Sequence, residues 1–108
     1  MSEPRLAARV WTSALLRRVN AGGGFATVLH HGDDVAGSVV LVHRDGPRLR
    51  ALQRRLGATD RYEWSVAARG ESVDDWVARQ RSYDPDLWVI ELDTPDIARF
   101  IDETIPVD

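Results

Sequence analysis

The chain has 108 residues, 44% apolar and 29% charged, the size and balance of one globular domain that can bury a core without disulfides or metal. It contains no cysteine, which excludes disulfides, thiol catalysis, cysteine-ligated zinc and iron–sulfur clusters. The formal net charge is −3, no apolar run approaches the ~18–20 residues of a membrane span, and Met1–Arg9 lacks the apolar core of a signal peptide. A cytoplasmic protein with no membrane partner is therefore expected.

The first helix ends in the clearest stop of the chain. Ser2 can cap it and Pro4 is tolerated in a first turn. Ala7, Val10, Trp11, Ala14, Leu15 and Val19 recur at helical spacing, and Gly22-Gly23-Gly24 terminates the run. Three glycines could also cradle a phosphate, but that needs a strand before them and a helix after, and the order here is reversed.

Phe25–His31 and Gly37–His43 have strand composition, and the turn-rich run HGDDVAG between them predicts a hairpin. The second strand, with Val39-Val40-Leu41-Val42 at its centre, is apolar on both faces. It must be central, or its second face must be covered by another element or subunit. Asp45-Gly46 marks a turn. Residues 48–56 fit either a helix, through Leu49, Leu52 and Leu56, or a strand that returns to a further strand at Arg61–Ala68. The strand reading is preferred.

The second helix opens near Ser72, whose pairing with Asp75 resembles a capping box. Val73, Trp76, Val77 and Tyr83 form its apolar stripe, and Pro85 stops it near Tyr83-Asp84. In the strand Leu87–Asp93, Trp88, Ile90 and Leu92 face one way while Leu87, Val89 and Glu91 face the other. Ile97, Phe100 and Ile101 then make a short amphipathic turn. The expected fold is α+β: a mostly antiparallel sheet of four or five strands against two main helices, in one domain spanning 1–108.

The runs WTSALLRR (Trp11–Arg18), GGGFATVLHHGD and DPDLWVIEL (Asp84–Leu92) resemble a family of small alphaproteobacterial proteins, the domain of unknown function 1491 family. The resemblance covers most of the chain and is loosest between residues 44 and 70. It implies a bacterial, cytosolic protein, favours extended structure after Gly46, and carries no catalytic residue with it.

Three groups of side chains are candidates for function. His30, His31, Asp33 and Asp34 form the densest polar cluster. Neighbouring strand residues point to opposite faces, and a hairpin would put His43 beside Phe25 or Ala26, about 15 Å off. A three-histidine metal site fails on that geometry, while a His31–Asp33 dyad at the turn stays a candidate centre for hydrolytic or metal-assisted chemistry. The second group is arginine: Arg48, Arg50, Arg54, Arg55 and Arg61, following Arg44 and preceding Tyr62 and Trp64. In a strand, Arg48, Arg50 and Arg54 share a face and Arg55 takes the other; such a surface suits phosphate or nucleic acid. A pI near 5.5 argues against nucleic acid. The third group is Glu91 and Asp93, about 6.6 Å apart on one strand face, which solvent exposure alone accounts for. No serine sits in a nucleophile elbow. All 14 basic residues are arginine, and residues 1–69 carry +5 while residues 70–108 carry −8, a split that suits two halves pairing in the fold. Together these features describe a non-enzymatic interaction or accessory module, with a protein partner or a second copy, and no cofactor. A phosphate- or nucleic-acid-binding module on the arginines is the alternative.

Overall fold

The computed structural model describes residues 7–106. Its elements are α1 (Ala8–Ala21), β1 (Phe25–His30), β2 (Val39–Asp45), β3 (Arg48–Leu56), β4 (Tyr62–Arg69), α2 (Ser72–Tyr83), β5 (Trp88–Asp93) and a 3-10 turn at Ile97–Arg99. The five strands form one mixed sheet in the order β1-β5-β2-β3-β4. The α+β architecture and the order of elements are those expected, and residues 48–56 are strand.

The hairpin expected between the first two strands does not form. β5 lies between them, antiparallel to β1 and parallel to β2. The reason is burial. Residues 88–90 of β5 and 39–42 of β2 are all buried, so both strands need cover on two faces and take adjacent central places. β1 alternates exposed and half-buried residues and can afford the edge.

Each face of the sheet has its own core. On one side Leu15 and Val19 of α1 meet Leu41, Leu52, Trp64, Ile90 and Leu92, and Ile97, Phe100 and Ile101 close the end. On the other side Val73 of α2, with Trp76 and Val77, covers Val40, Val42, Ala51 and Val89. Each fully buried Leu, Ile or Val contributes about 1.5–3 kcal/mol relative to exposure. The second face of β2 is thus covered by α2 of the same chain, and its burial requires no second subunit. Of the four tryptophans, Trp64 and Trp88 are buried, while Trp11 and Trp76 are half-buried. Trp11 stacks on Trp64 with centroids 6.0 Å apart.

The helices depart from expectation at their ends. Ser2 and Pro4 lie outside the described residues. The described start of α1 has no side-chain cap; instead Ala8 N donates to Val35 O (3.1 Å) and Arg9 N to Asp34 O (2.8 Å). Carbonyls of the β1–β2 connection therefore satisfy the orphan amides of the first turn. Thr12 occupies the buried face in place of Val10, its hydroxyl donating to Ala8 O at 2.8 Å. In α2, Ser72 lies inside the helix after Glu71, no capping-box bond forms, and Tyr83 points to solvent at 79% exposure.

The β1–β2 connection is locked to the start of β5. Asp33 N donates to Asp86 O, Trp88 N to Ser38 O, and the Trp88 indole N–H to Asp33 O at 2.7 Å. A Cβ on Gly32 or Gly37 would collide with Asp86 O and the Trp88 ring. These glycines permit close approach of two chain segments. Gly32→Ala is expected to destabilise the fold by about 1–3 kcal/mol, the usual cost of overpacking, seen as a lower urea midpoint with unchanged slope. An unchanged midpoint would show that this packing is slack.

Candidate functional site

The arginines do not gather on one surface. Arg48, Arg50 and Arg54 share the α1 side of β3, and Arg55 lies on the other, as strand alternation requires. Arg54 is committed to the fold. Its guanidinium lies 4.7 Å from the Tyr62 ring centroid and 5.0 Å from that of Trp11, and it pairs with Glu103 at 3.5 Å. The Trp64 indole donates to the same carboxylate at 2.9 Å, so this group anchors the segment after the 3-10 turn. Arg44 pairs with Glu91 across β2 and β5 at 3.2 Å, which occupies one of the two candidate carboxylates on that strand. Arg61 is exposed just before β4, at the opposite end of the sheet from Arg48.

Arg50 lies in a cross-strand row. His43 of β2, Arg50 of β3 and Arg69 of β4 are directly paired, so their side chains leave the same face. His43 is buried at 6% exposure. Its Nε2 contacts Thr94 O at 2.8 Å, and its Nδ1 accepts from Arg50 Nε at 3.1 Å. A carbonyl only accepts and a guanidinium only donates, so Nε2 carries the proton and the ring is neutral. Burial pushes His43 below the usual imidazole range; the bond to Thr94 opposes this and the Arg50 charge reinforces it. Arg50 NH1 also donates to Pro106 O at 3.0 Å. Sequence spacing gave no hint of this row, because the three residues meet only through strand register.

The row borders a cleft of about 490 Å³ beyond the carboxyl ends of the parallel strands β2 and β5. Arg48, Asp45 and Asp96 also line it, and Pro47, Pro95, Ile97 and Ile105 form apolar walls. A smaller hollow of about 210 Å³ lies beside Gly23 and Gly24, next to Asp45 and Asp93. Two carboxylates there disfavour phosphate, which agrees with reading the triple glycine as a helix stop.

The expected His31–Asp33 dyad is absent. Asp33 turns its carboxylate to the backbone, where Oδ2 accepts from Val35 N (3.1 Å) and Ala36 N (2.8 Å), holding the carboxyl below the usual range. His31 instead contacts Asp34 at 2.9 Å and lies over the Trp88 ring, 4.0 Å between centroids. Both members of that pair are more than half exposed, and neither cleft touches them. His43 aligns through β5 with Ala26, so the three histidines stay apart although the hairpin that first suggested it does not exist. Among the described residues no group of three or more potential ligands could hold a metal ion, and no helix is long and apolar enough to cross a membrane.

The two sheet edges differ. β4 is bridged by Thr104, which lies parallel to Glu63 while Trp64 N donates to Thr104 O at 2.9 Å. Among the described residues nothing pairs with the outer edge of β1. Phe25 is 71% exposed and Leu29 53%.

The model of the family described as protein of unknown function (DUF1491) matches residues 6–102, and the chain belongs to that family. Three solved structures share its fold at 30% identity. A crystal structure of a DUF1491 family protein from Caulobacter crescentus has a TM-score of 0.85, over 94% of this chain and all of that one. An NMR structure of a DUF1491 family protein from the same organism gives 0.80, over 96% and 99%. The solution structure of a protein from A. tumefaciens gives 0.79, over 95% and 98%. No curated protein matches the chain.

The neutral His43 sets a pH dependence. Above about pH 6.5 the ring is uncharged in both folded and unfolded chains, and the fold keeps its full stability. As pH falls below that value the unfolded chain takes up a proton that the folded one refuses. Stability then declines until the lowered folded pKa is reached. Melting midpoints between about pH 7.5 and 5.5 should therefore fall more steeply for the parent chain than for His43→Gln, where His30 and His31 remain and cancel in the difference. Equal slopes would mean that His43 is not held neutral.

Proposed function

We propose that this member of the DUF1491 family is a non-enzymatic interaction module that self-associates, a second copy pairing antiparallel with the outer edge of β1. The observation that carries this reading is the asymmetry of the two edges. Among the described residues the fold covers β4 with the Thr104 bridge and sets no strand against the outer edge of β1, where the Asn20 side chain accepts from Ala26 N at 3.0 Å. Natural edges are blunted by lysine, proline, inward charge or bulges, and the run Phe25–His30 has no proline, lysine, arginine or carboxylate. It has one such device, a bulge between Val28 and His30, which limits regular pairing to Phe25–Val28. A two-fold antiparallel pairing is self-complementary for any sequence. Exposed Phe25 and Thr27 would then pack across the junction. So short a ladder gives a weak, concentration-dependent dimer.

The alternative on Arg48, Arg50, Arg54, Arg55 and Arg61 has less support, because Arg54 is committed internally, Arg55 lies on the other face, and Arg61 is at the other end of the sheet. Chemistry at His31 and Asp33 has none, since the two side chains take different partners.

Light scattering from roughly ten micromolar to one millimolar should show a rising mean mass for the parent chain. Phe25→Lys and Thr27→Lys, both at exposed positions, should remain monomeric with unchanged circular dichroism. A parent chain that stays monomeric throughout would end the proposal, as would a dimer indifferent to both substitutions.

A further inference from the structure

We infer that His43 is a proton-operated catch: proton uptake at its Nδ1 turns the Arg50 guanidinium aside, frees Ile105–Pro106 and opens the cleft that they line. The ring sits between one acceptor and one donor, with Nε2 on Thr94 O at 2.8 Å and Nδ1 on Arg50 Nε at 3.1 Å. Only one neutral tautomer satisfies both. Once protonated, an imidazole donates from both nitrogens and accepts at neither. Nδ1–H then faces Arg50 Nε–H, two donors and two like charges at that distance. The bond to Thr94 O survives the change and the bond to Arg50 does not.

Arg50 passes the event to the chain beyond Thr104. A guanidinium is rigid and planar, so Nε–H cannot turn from the ring without moving Nη1, which donates to Pro106 O at 3.0 Å. Arg50 makes further interactions, and the catch needs only this change of orientation, not its departure from the sheet. The hinge is Thr104. Up to that point the segment is anchored, Glu103 by the Trp64 indole and Arg54, and Thr104 O by Trp64 N. Past it, Ile105 packs half-buried on the α1-side core, and both Ile105 and Pro106 line the cleft of about 490 Å³ with His43 and Arg50. The charged groups lining that cleft with the ring are Asp45 of its own strand, Arg48 and Arg50 of β3, Arg69 of β4 and Asp96 after β5. From α1, Arg18 is turned to Phe100 O. Burial and the fixed Arg50 charge oppose the proton, while Asp45 and the bond to Thr94 O favour it. Opening wets the ring and shifts the Arg50 charge, so the open form takes the proton more readily and acid favours opening. By linkage the opening equilibrium rises at most about ten-fold per pH unit below about pH 6.5. None of these residues belongs to β1, so the catch is separate from self-association.

The test is ¹H–¹⁵N NMR of the whole chain from about pH 7.5 down to about pH 4.5, reading the His43 ring nitrogens, the Arg50 Nε–H and the Ile105 amide. At the upper end the ring should carry its proton on Nε2, with the Arg50 Nε–H bonded to Nδ1. As pH falls, all three signals should change with one shared midpoint below the usual imidazole range, while the Trp64 amide and indole N–H stay bonded. His43→Gln has no proton to gain and should abolish the response at Ile105. If that variant loses its dispersed spectrum, the midpoints of the parent chain decide. A proton on Nδ1 at the upper end, or a ring still neutral at the lower end, overturns the proposal. So does a ring that titrates while Arg50 and Ile105 stay unmoved, an Ile105 response that survives in His43→Gln, or collapse of the whole spectrum as the ring titrates.

Discussion

The structure depends on one constraint, the need of two adjacent strands for apolar cover on both faces. β2 buries Val39 and Leu41 toward α1 and Val40 and Val42 toward α2, and β5 does the same with Ile90 and Leu92 on one side and Val89, joined by the preceding Leu87, on the other. Only the interior of a sheet between two helices satisfies both. Once β2 and β5 lie side by side, β1 and β4 are left at the edges, and α1 and α2 must take opposite faces. The parallel pairing of β2 with β5 follows from the connectivity, since β3, β4 and α2 form the crossover between them.

That placement also explains the most recognisable parts of the sequence. The stretches HHGD and DPDLWV are far apart in the chain but form one interlocked unit. The Trp88 indole bonds to Asp33 O, Gly32 and Gly37 fit against Asp86 and the indole, and His31 covers the ring. The same loop supplies the two carbonyls that cap α1. A side chain buried on β5 thus fixes a loop, and the loop fixes a helix. Residues that look catalytic by type, a histidine next to aspartates, are there because the loop must pack and turn. Asp33 bonds backbone amides, and its depressed pKa reflects that duty.

Much of the fold was legible in local pattern. Trp88, Ile90 and Leu92 on one face, Val73 facing the sheet and the end of α2 before Pro85 all follow from periodicity and proline sterics. What could not be read was anything decided by non-local pairing. Two strands joined by a turn-rich segment look like a hairpin, and only the competition of β5 for the central place prevents it. Tyr83 has the spacing of a buried residue, yet it is the last residue of α2 and its side chain is exposed. Val10 lies off the buried stripe Ala8, Thr12, Leu15 and Val19, and Thr12 can sit in that stripe because its hydroxyl bonds its own helix. The His43–Arg50–Arg69 row was invisible for the same reason: its members are 7 and 19 residues apart and meet only through register.

The uneven charge of the chain finds its place in the same topology. The basic first part meets the acidic second part in two ion pairs among the described residues. Arg44 reaches Glu91, Arg54 reaches Glu103, and Arg18 donates to Phe100 O at 3.0 Å. The more exposed of the two ion pairs, Arg44–Glu91, contributes little, on the order of 0–1 kcal/mol. Arg54 contributes more than charge, because three aromatic rings surround its guanidinium. Arg50 differs from both kinds. It lies opposite Arg69 in register, and its guanidinium donates to the His43 ring and to Pro106 O.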